Sequence, residues 1–355
     1  MATADAKIIS PAPQRLEPSA RRTLPQFTRA AGLVVGLGVV ILISLISLRI
    51  GSISISTSDA WDALFNYDSS AYNQTVVRSL RLPRTIIALG VGAGLAVAGT
   101  IMQGVTRNPL ADPGILGVSS GASFAVVSAI YFFNLTTVSQ YLWFAFAGAL
   151  LASVLVFVVA STGRDGPTPV KLALSGVVIS ALLGAWTSAL LLLDEQTMDI
   201  VRFWFAGSVV GRPLSTFWTV APFLLGGAVV CVFLGHQMNV MSLGEDTARA
   251  LGMRTGRTRV LSSLLVVMIT GAAVSVAGPI GFVGLAIPHM VRSVVGPDYR
   301  WILPYAFLTG AAFLTLADVI GRIVLRPAEL QVGIVMAMFG APFFIFLARR
   351  QTTEV

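Results

Sequence analysis

The chain has 355 residues, of which 55% are hydrophobic and 11% charged, and its mean hydropathy is +0.82. Soluble domains carry about 25% charged residues, so this composition excludes an ordinary soluble protein and indicates a polytopic membrane protein. The net charge of +8 is therefore not the footprint of a nucleic-acid-binding protein, and its distribution orients the chain in the membrane. The single cysteine excludes a disulfide framework within the chain.

The first 29 residues are polar and basic, and we predict that they form a cytoplasmic tail. The apolar stretch 30–50 is too long for the roughly 7–15-residue core of a signal peptide, so it is predicted to be the first membrane span. At about 20 residues per crossing, the remaining apolar stretches predict nine more spans. These spans are predicted at 84–105, 114–134, 140–161, 170–193, 215–235, 258–278, 281–295, 302–321 and 332–348.

The distribution of Lys and Arg gives the orientation. With both termini in the cytoplasm, the inner segments hold twice as many of the 24 basic residues as the outer segments, as the positive-inside rule requires. The exceptions on the outer side include Arg81, Arg84 and Arg322. Two interpretations remain open: ion pairs with lipid phosphate or with acids such as Glu329, or a basic surface that captures an acidic partner.

The longest charged interruption after residue 85 is the inner loop 236–259, which lies between two predicted spans. Within it, apolar residues recur at a helical period, acids come first and an arginine follows, so we predict a short amphipathic helix over 241–253. This helix is either a docking element for a soluble partner or a helix that lies on lipid headgroups. The residues that carry the pattern are Leu243, Gly244, Glu245, Asp246, Arg249, Leu251 and Gly252.

Few ionisable residues fall inside the predicted spans. Asp318 precedes Arg322 by four residues on one helix face, so an ion pair would neutralise the carboxylate. The alternative is an ion-coupled secondary transporter in which Asp318 and His289 relay protons. The sequence shows no phosphate-binding loop, no metal-ligand spacing and no catalytic constellation, so we predict that the chain binds no cofactor and is not an enzyme.

Two of the predicted spans share a short sequence similarity. The glycine- and alanine-rich segment 92–99 resembles 271–278, and the two predicted spans run in opposite directions. That relation favours an inverted repeat, a common plan of transporters. The same small residues also permit close helix packing in lipid, so the similarity between the two segments has a purely structural interpretation as well.

Several longer motifs, in order, resemble the FecCD family, the permease subunits of type II ABC importers for ferric siderophores, haem and cobalamin. They begin with RLPR at 81–84 and RNPLADPGILG at 107–117, and continue with LGEDTARALG at 243–252. They close with GFVGLAIPH at 281–289, ADVIGR at 317–322, ELQVG at 329–333 and GAPFF at 340–344. The resemblance covers nearly all of 30–350, although Gln331 stands where the family usually has proline.

The resemblance implies an all-α permease of about ten transmembrane helices in the bacterial inner membrane, most consistent with ferric siderophore import. Two permeases, identical or paralogous, would pair around a central pathway. Two ATPase subunits that bind ATP and magnesium would dock below, and an extracytoplasmic substrate-binding protein would dock above. The resemblance assigns ATPase coupling to the 241–253 helix and a cytoplasmic gate to Asn108 and Leu110. It assigns binding-protein docking to Arg81, Arg84 and Arg322. A second gate known in the family maps near 168–170, where this chain has prolines in place of the polar run found in the relative.

Overall fold

The structure is a computed structural model that describes residues 25–51, 53–162 and 168–351. Within these ranges every regular element is a helix. Of the predicted cytoplasmic tail 1–29, residues 1–24 lie outside the described residues, as do residues 163–167 of the polar segment before the second predicted gate.

The described part of the first half of the chain contains five apolar helices, with two short helices between the first and the second of them. They are α1 Gln26–Arg49, α2 Thr57–Phe65, α3 Tyr72–Val76, α4 Leu82–Thr106, α5 Val118–Phe133, α6 Val138–Ala160 and α7 Pro169–Leu193. A π-helical turn, Val77–Arg81, joins α3 to α4 without a break, and a 3-10 turn, Pro113–Leu116, precedes α5.

The described part of the second half begins with five short helices, and four longer ones follow. They are α8 Glu195–Phe205, α9 Leu214–Ala221, α10 Gly227–Phe233, α11 Gly235–Ser242, α12 Glu245–Ala250, α13 Thr255–Ala277, α14 Val283–Val295, α15 Tyr299–Val324 and α16 Val332–Gln351. A second π-helical turn, Pro222–Gly226, makes α9 and α10 one continuous element.

A helical element lies at each of the ten predicted spans. Seven of the described elements are long and apolar enough to cross a membrane, and three shorter apolar helices lie at Val118–Phe133, Val283–Val295 and Val332–Phe343. The chain is therefore an all-helical, multi-pass membrane protein. The count of ten crossings, the cytoplasmic termini and the inverted repeat stay predictions.

Helix α4 lies at the centre of the fold, is buried along most of its length and packs against α13, α14 and α15. Its glycines allow this approach. A Cβ atom on Gly99 would lie 2.0 Å from the carbonyl oxygen of Gly284 in α14, and one on Gly92 would lie 2.3 Å from that of Gly310 in α15. Small residues at helix crossings let backbones meet without intervening side chains, which is how helices associate in lipid.

We expect Gly99→Ala to lower the thermal midpoint of the purified protein, because the new methyl group meets a backbone atom that has no flexible end to move. Overpacking of this kind costs about 1–3 kcal/mol. Gly184→Ala in α7 is the matched control, since its Cβ would meet nothing within 4 Å. Equal midpoints for the two variants would show that the crossing of α4 and α14 is looser than described.

Candidate functional site

The predicted docking arginines meet at the end of the bundle where α1 ends and α4 begins, which the charge distribution predicts to be the outer end. Arg84 donates from Nε and Nη2 to the carboxylate of Asp318 over 2.8–3.0 Å, and from Nη1 to Glu329 over 2.5 Å. Arg322 ion-pairs the same Asp318, which is fully buried. The predicted pairing of Asp318 with Arg322 is thus confirmed, and Arg84 is a second partner that the sequence did not reveal.

Arg81 and Arg322 also bind the end of α1. Arg81 Nη1 donates to the carbonyl oxygens of Leu48 and Arg49 over 2.9 and 2.7 Å, and Arg322 Nη1 donates to that of Ser47 over 2.8 Å. The last carbonyl groups of a helix have no partners within the helix, and its C-terminus carries partial negative charge. The two guanidinium groups therefore hold α1 against α4 and α15.

A cavity of about 420 Å³ opens beside this cluster, and its lining includes Arg81, Arg84, Arg322 and Glu329 together with residues 209–213. The three arginines are each less than 10% exposed. With Arg212 of the 209–213 segment, four guanidinium groups lie at this cavity against the carboxylates of Asp318 and Glu329, so the cluster keeps a surplus of positive charge. The arginines that the sequence analysis placed on the outer side are thus largely engaged within the chain, and their docking role stays a prediction.

The two groups of the proton-relay alternative do not meet in the structure. Both carboxylate oxygens of Asp318 accept hydrogen bonds from guanidinium groups. The His289 ring in α14 packs against Phe343 at 6.0 Å between ring centroids. No contact among the described residues links Asp318 to His289. In this arrangement Asp318 is therefore a carboxylate neutralised by Arg84 and Arg322.

The predicted gate residues lie in the turn that follows α4. Arg107 ends the helix in the left-handed conformation, with φ of 51°. Asn108 is exposed, and its Oδ1 accepts a hydrogen bond from the backbone N–H of the half-buried Leu110 over 2.9 Å. Asp112 makes the same kind of bond to the N–H of Gly114 over 2.8 Å. Asx turns such as these fix the path of a loop, so this connection is compact and well defined.

The prediction of a single helix over 241–253 is wrong in one respect, because the segment belongs to two helices. Helix α11 ends at Ser242, and α12 begins at Glu245. Between them Gly244 has φ of 104°, a conformation that favours glycine and breaks the helix. Gly252 follows α12 with φ of 83°, so the two glycines of the predicted pattern turn the chain at both ends of α12.

Glu245 connects α12 to α13. Its Oε1 accepts from Arg249, four residues later on the same helix, over 2.7 Å, and its Oε2 accepts from Arg259 of α13 over 3.2 Å. Burial raises the pKa of Glu245, but the hydrogen bond and charge of Arg259 and the charge of Arg249 outweigh it, so the pKa is lowered overall. The carboxylate therefore stays ionised near neutral pH and fixes α12 to the span that follows.

The apolar side chains that flank α12 project away from the bundle. Leu243 and Leu251 are 60% and 64% exposed, whereas Ala248 between them is fully buried. Asp246 is also exposed. A cavity of about 600 Å³ separates this segment from Arg107 and from 168–169, the start of α7. The residues assigned to coupling and those near the second predicted gate therefore line one cavity, at the end of the bundle predicted to face the cytoplasm.

Comparison with known proteins agrees with this architecture. The sequence model of the FecCD transport family matches residues 39–350. The ferric enterobactin transport system permease protein FepD of Escherichia coli is 44% identical over 92% of this chain and 97% of its own length. The Fe(3+)-citrate import system permease protein YfmD of Bacillus subtilis is 43% identical over 86% and 90%.

A solved structure gives the same result for the fold. It is described as an inward-facing conformation of a metal-chelate type ABC transporter, and it superposes with a TM-score of 0.78 at 31% identity, covering 90% of this chain and 99% of the other. The match of fold and sequence over nearly the full length, with the motifs in order, identifies the chain as a member of the FecCD transport family.

Proposed function

We propose that this chain is the transmembrane permease subunit of an ATP-binding-cassette importer that translocates a ferric siderophore across the bacterial inner membrane. The observation that carries the proposal is the full-length similarity to permeases named for ferric enterobactin and for Fe(3+)-citrate, two chelates of the same metal. Two copies, or this chain and a paralogue, would enclose the pathway. Two ATPase subunits would supply the energy, and an extracytoplasmic binding protein would deliver the chelate.

The inner end supports a docking role for α12. The energy of ATP has to enter through a protein contact, because the chain has no phosphate-binding loop of its own. Exposed leucines on a segment that is held by ion pairs offer apolar anchors with a charged rim, as protein interfaces do. We propose that Leu243, Leu251 and Arg249 contact the ATPase, while Glu245 holds α12 on α13.

We propose that the turn with Asn108 and Leu110 narrows the pathway at its inner end. The turn adjoins α7, since a Cβ atom on Gly176 would lie 1.8 Å from the carbonyl oxygen of Ile115 just beyond it. A movement of α7 would therefore displace the connection between α4 and α5. Arg107, which begins this connection, lines the same cavity as α12 and the start of α7, and this supports a link between the turn and the proposed ATPase contact.

At the outer end we propose that an acidic side chain of the binding protein enters the cavity beside Arg81, Arg84 and Arg322. The surplus positive charge of the cluster favours a carboxylate there. Glu329, which is about a quarter exposed, already pairs with Nη1 of Arg84 and would compete with the incoming group. Asp318 keeps the rest of Arg84 in place whichever carboxylate is bound.

Glu329→Gln is therefore expected to raise the affinity for the binding protein several-fold at low salt, because it removes the competing charge. The gain should shrink at higher ionic strength, since screening weakens exposed charge pairs. Asp199→Asn, which breaks the exposed pair of Asp199 with Arg202, is the control and should leave the affinity unchanged. An unchanged affinity in both variants would contradict docking at this cavity.

The function itself is tested by uptake into proteoliposomes that contain this chain and its ATPase, with the binding protein and a radiolabelled iron chelate outside. We expect uptake that requires enclosed ATP and added binding protein and that persists when ion gradients are collapsed. Uptake that follows a proton gradient without ATP would contradict the proposal and support the ion-coupled mechanism.

A further inference from the structure

A groove of about 460 Å³ runs along the surface of the bundle between α1 on one side and α14 and α15 on the other. The face of α1 in this groove carries Gly32, Val35, Gly36 and Val39, which recur at the helical period and lack polar atoms in their side chains. A Cβ atom on Gly36 would lie 3.3 Å from Leu308 of α15. The groove is thus a mostly apolar channel, in which Ser293, Tyr305 and Thr309 supply the polar side chains, and its open side faces the surroundings of the bundle.

Arg29 lies at the inner end of this groove, one helical turn before Gly32. Its backbone carbonyl oxygen accepts a hydrogen bond from the hydroxyl group of Tyr305, a residue that lines the groove, over 2.7 Å. Its guanidinium carbon lies 6.0 Å from the centroid of the Trp301 ring. Tyrosine and tryptophan side chains favour the membrane–water interface, so this end of the groove lies at headgroup level.

The charge of Arg29 is not neutralised within the described part of the chain. The residue is only 8% exposed, its Nε is buried without a hydrogen-bond partner, and its guanidinium forms no ion pair with the described residues. A buried charge is costly unless an opposite charge accompanies it. The geometry therefore points to an anion that sits beside Arg29 when the protein is in its membrane.

The length of the groove indicates which anion this is. Arg29 and Val39 are ten residues apart on one helix, which corresponds to about 15 Å along its axis. That is half of the roughly 30 Å hydrocarbon thickness of a bilayer, or one leaflet. A cation at headgroup level followed by an apolar channel, together about one leaflet long, matches a phospholipid, with its phosphate at the arginine and an acyl chain in the channel.

We propose that this groove is a binding site for one anionic phospholipid of the cytoplasmic leaflet. The phosphate pairs with Arg29, and an acyl chain lies between Val35 of α1 and the faces of α14 and α15. Anionic lipids are favoured over zwitterionic ones, because their net charge adds to the attraction of a basic group at the membrane surface. The site lies on the side of α1 that packs on α15, so the lipid would fill the gap between them.

The proposal is tested with the full-length protein in nanodiscs that contain equal amounts of phosphatidylglycerol and phosphatidylethanolamine. Native mass spectrometry after release counts the phosphatidylglycerol retained. Arg29→Gln removes the cation, and we expect retention to fall about tenfold, in line with the loss of a charge-assisted contact. Arg49→Gln at the exposed far end of the same helix is the matched control and should retain the lipid.

A second pair of variants tests the channel. Val35→Trp fills the groove at a side chain that is 66% exposed, and Val34→Trp adds the same ring at a neighbour that is 72% exposed and does not line it. Only Val35→Trp should lose the lipid. For the unaltered protein, added phosphatidylglycerol should raise the thermal midpoint more than added phosphatidylethanolamine does. This comparison needs no variant, so it does not depend on whether a variant folds.

Three results would overturn the proposal. Retention of phosphatidylglycerol by Arg29→Gln at the level of Arg49→Gln would show that the arginine binds no lipid phosphate. Retention by Val35→Trp would show that no acyl chain occupies the groove. Equal stabilisation of the unaltered protein by both lipids would show that the site does not select an anionic headgroup.

Discussion

Asp318→Asn is expected to lower the amount of folded protein sharply, with a cost of about 3–5 kcal/mol in the free energy of unfolding. Asp318 is fully buried and is the shared partner of Arg84 and Arg322. Asparagine removes the negative charge and leaves two buried guanidinium groups with Glu329 as the remaining acid. It also weakens the connection between α4 and α15, which Arg84 and Asp318 make across the bundle.

The measurement is the thermal midpoint of the purified protein in detergent, together with the fraction that elutes as a single species. Asp199→Asn is the control, because its partner Arg202 and Asp199 itself are more than half exposed. Exposed pairs contribute about 0–1 kcal/mol, so this variant should resemble the unaltered protein. Equal midpoints for the two variants would contradict a stabilising role for Asp318.

Transport by the folded fraction separates stability from mechanism. If Asp318 only neutralises the arginines, Asp318→Asn transports normally per assembled complex. Loss of transport in a complex that remains fully folded would instead support the proton-relay alternative. The structure favours the first outcome, because both oxygens of the carboxylate are occupied by Arg84 and Arg322.

The pairing around Asp318 shows which contacts a sequence can predict. Asp318 and Arg322 are four residues apart, so a helical period alone brings them together. Arg84 is 234 residues from Asp318, and only the packing of α4 on α15 creates that contact. The same holds at Glu245, whose pair with Arg249 follows from spacing, whereas its pair with Arg259 depends on the angle between α12 and α13.

The spans were predicted better than the segments between them. A run of about 20 apolar residues identifies a span by its composition alone, and each predicted span contains a helix. The short helices α2 and α8 were not predicted, because they are too polar to stand out from loops. Each is capped by a side chain, Ser56 for α2 and Asp194 for α8, and such caps are a signal that would have found them.

The break between α11 and α12 has a different origin. The apolar period continues through Gly244, so the pattern predicts one helix, but the period carries no information about backbone conformation. Glycine tolerates a positive φ, and at this position it adopts one. Leu243 and Leu251 are exposed on either side of α12, and these are the leucines that we propose contact the ATPase.

Leu251→Asp is expected to abolish co-purification of the ATPase, with a loss of about tenfold or more if Leu251 is a central anchor of the contact. The side chain is 64% exposed and lies outside the packed core of the bundle, so the change should not disturb folding. In a docked complex it would place a carboxylate in an apolar contact, where an unpaired charge is costly. Affinity for the binding protein at the opposite end should be unaffected.

Leu325→Asp is the matched control, because Leu325 is 52% exposed and follows α15 at the outer end. It should retain the ATPase. Glu245→Arg should have an intermediate effect, since it removes the pairs with Arg249 and Arg259 and lets α12 move without altering the leucines. If Leu251→Asp retains the ATPase and transports normally, α12 lies on lipid headgroups and coupling runs through another inner loop. A graded loss would instead mean that α12 contacts the ATPase and that Glu245 sets its position. In that case Leu251→Asp retains less ATPase than Glu245→Arg, and both retain less than Leu325→Asp.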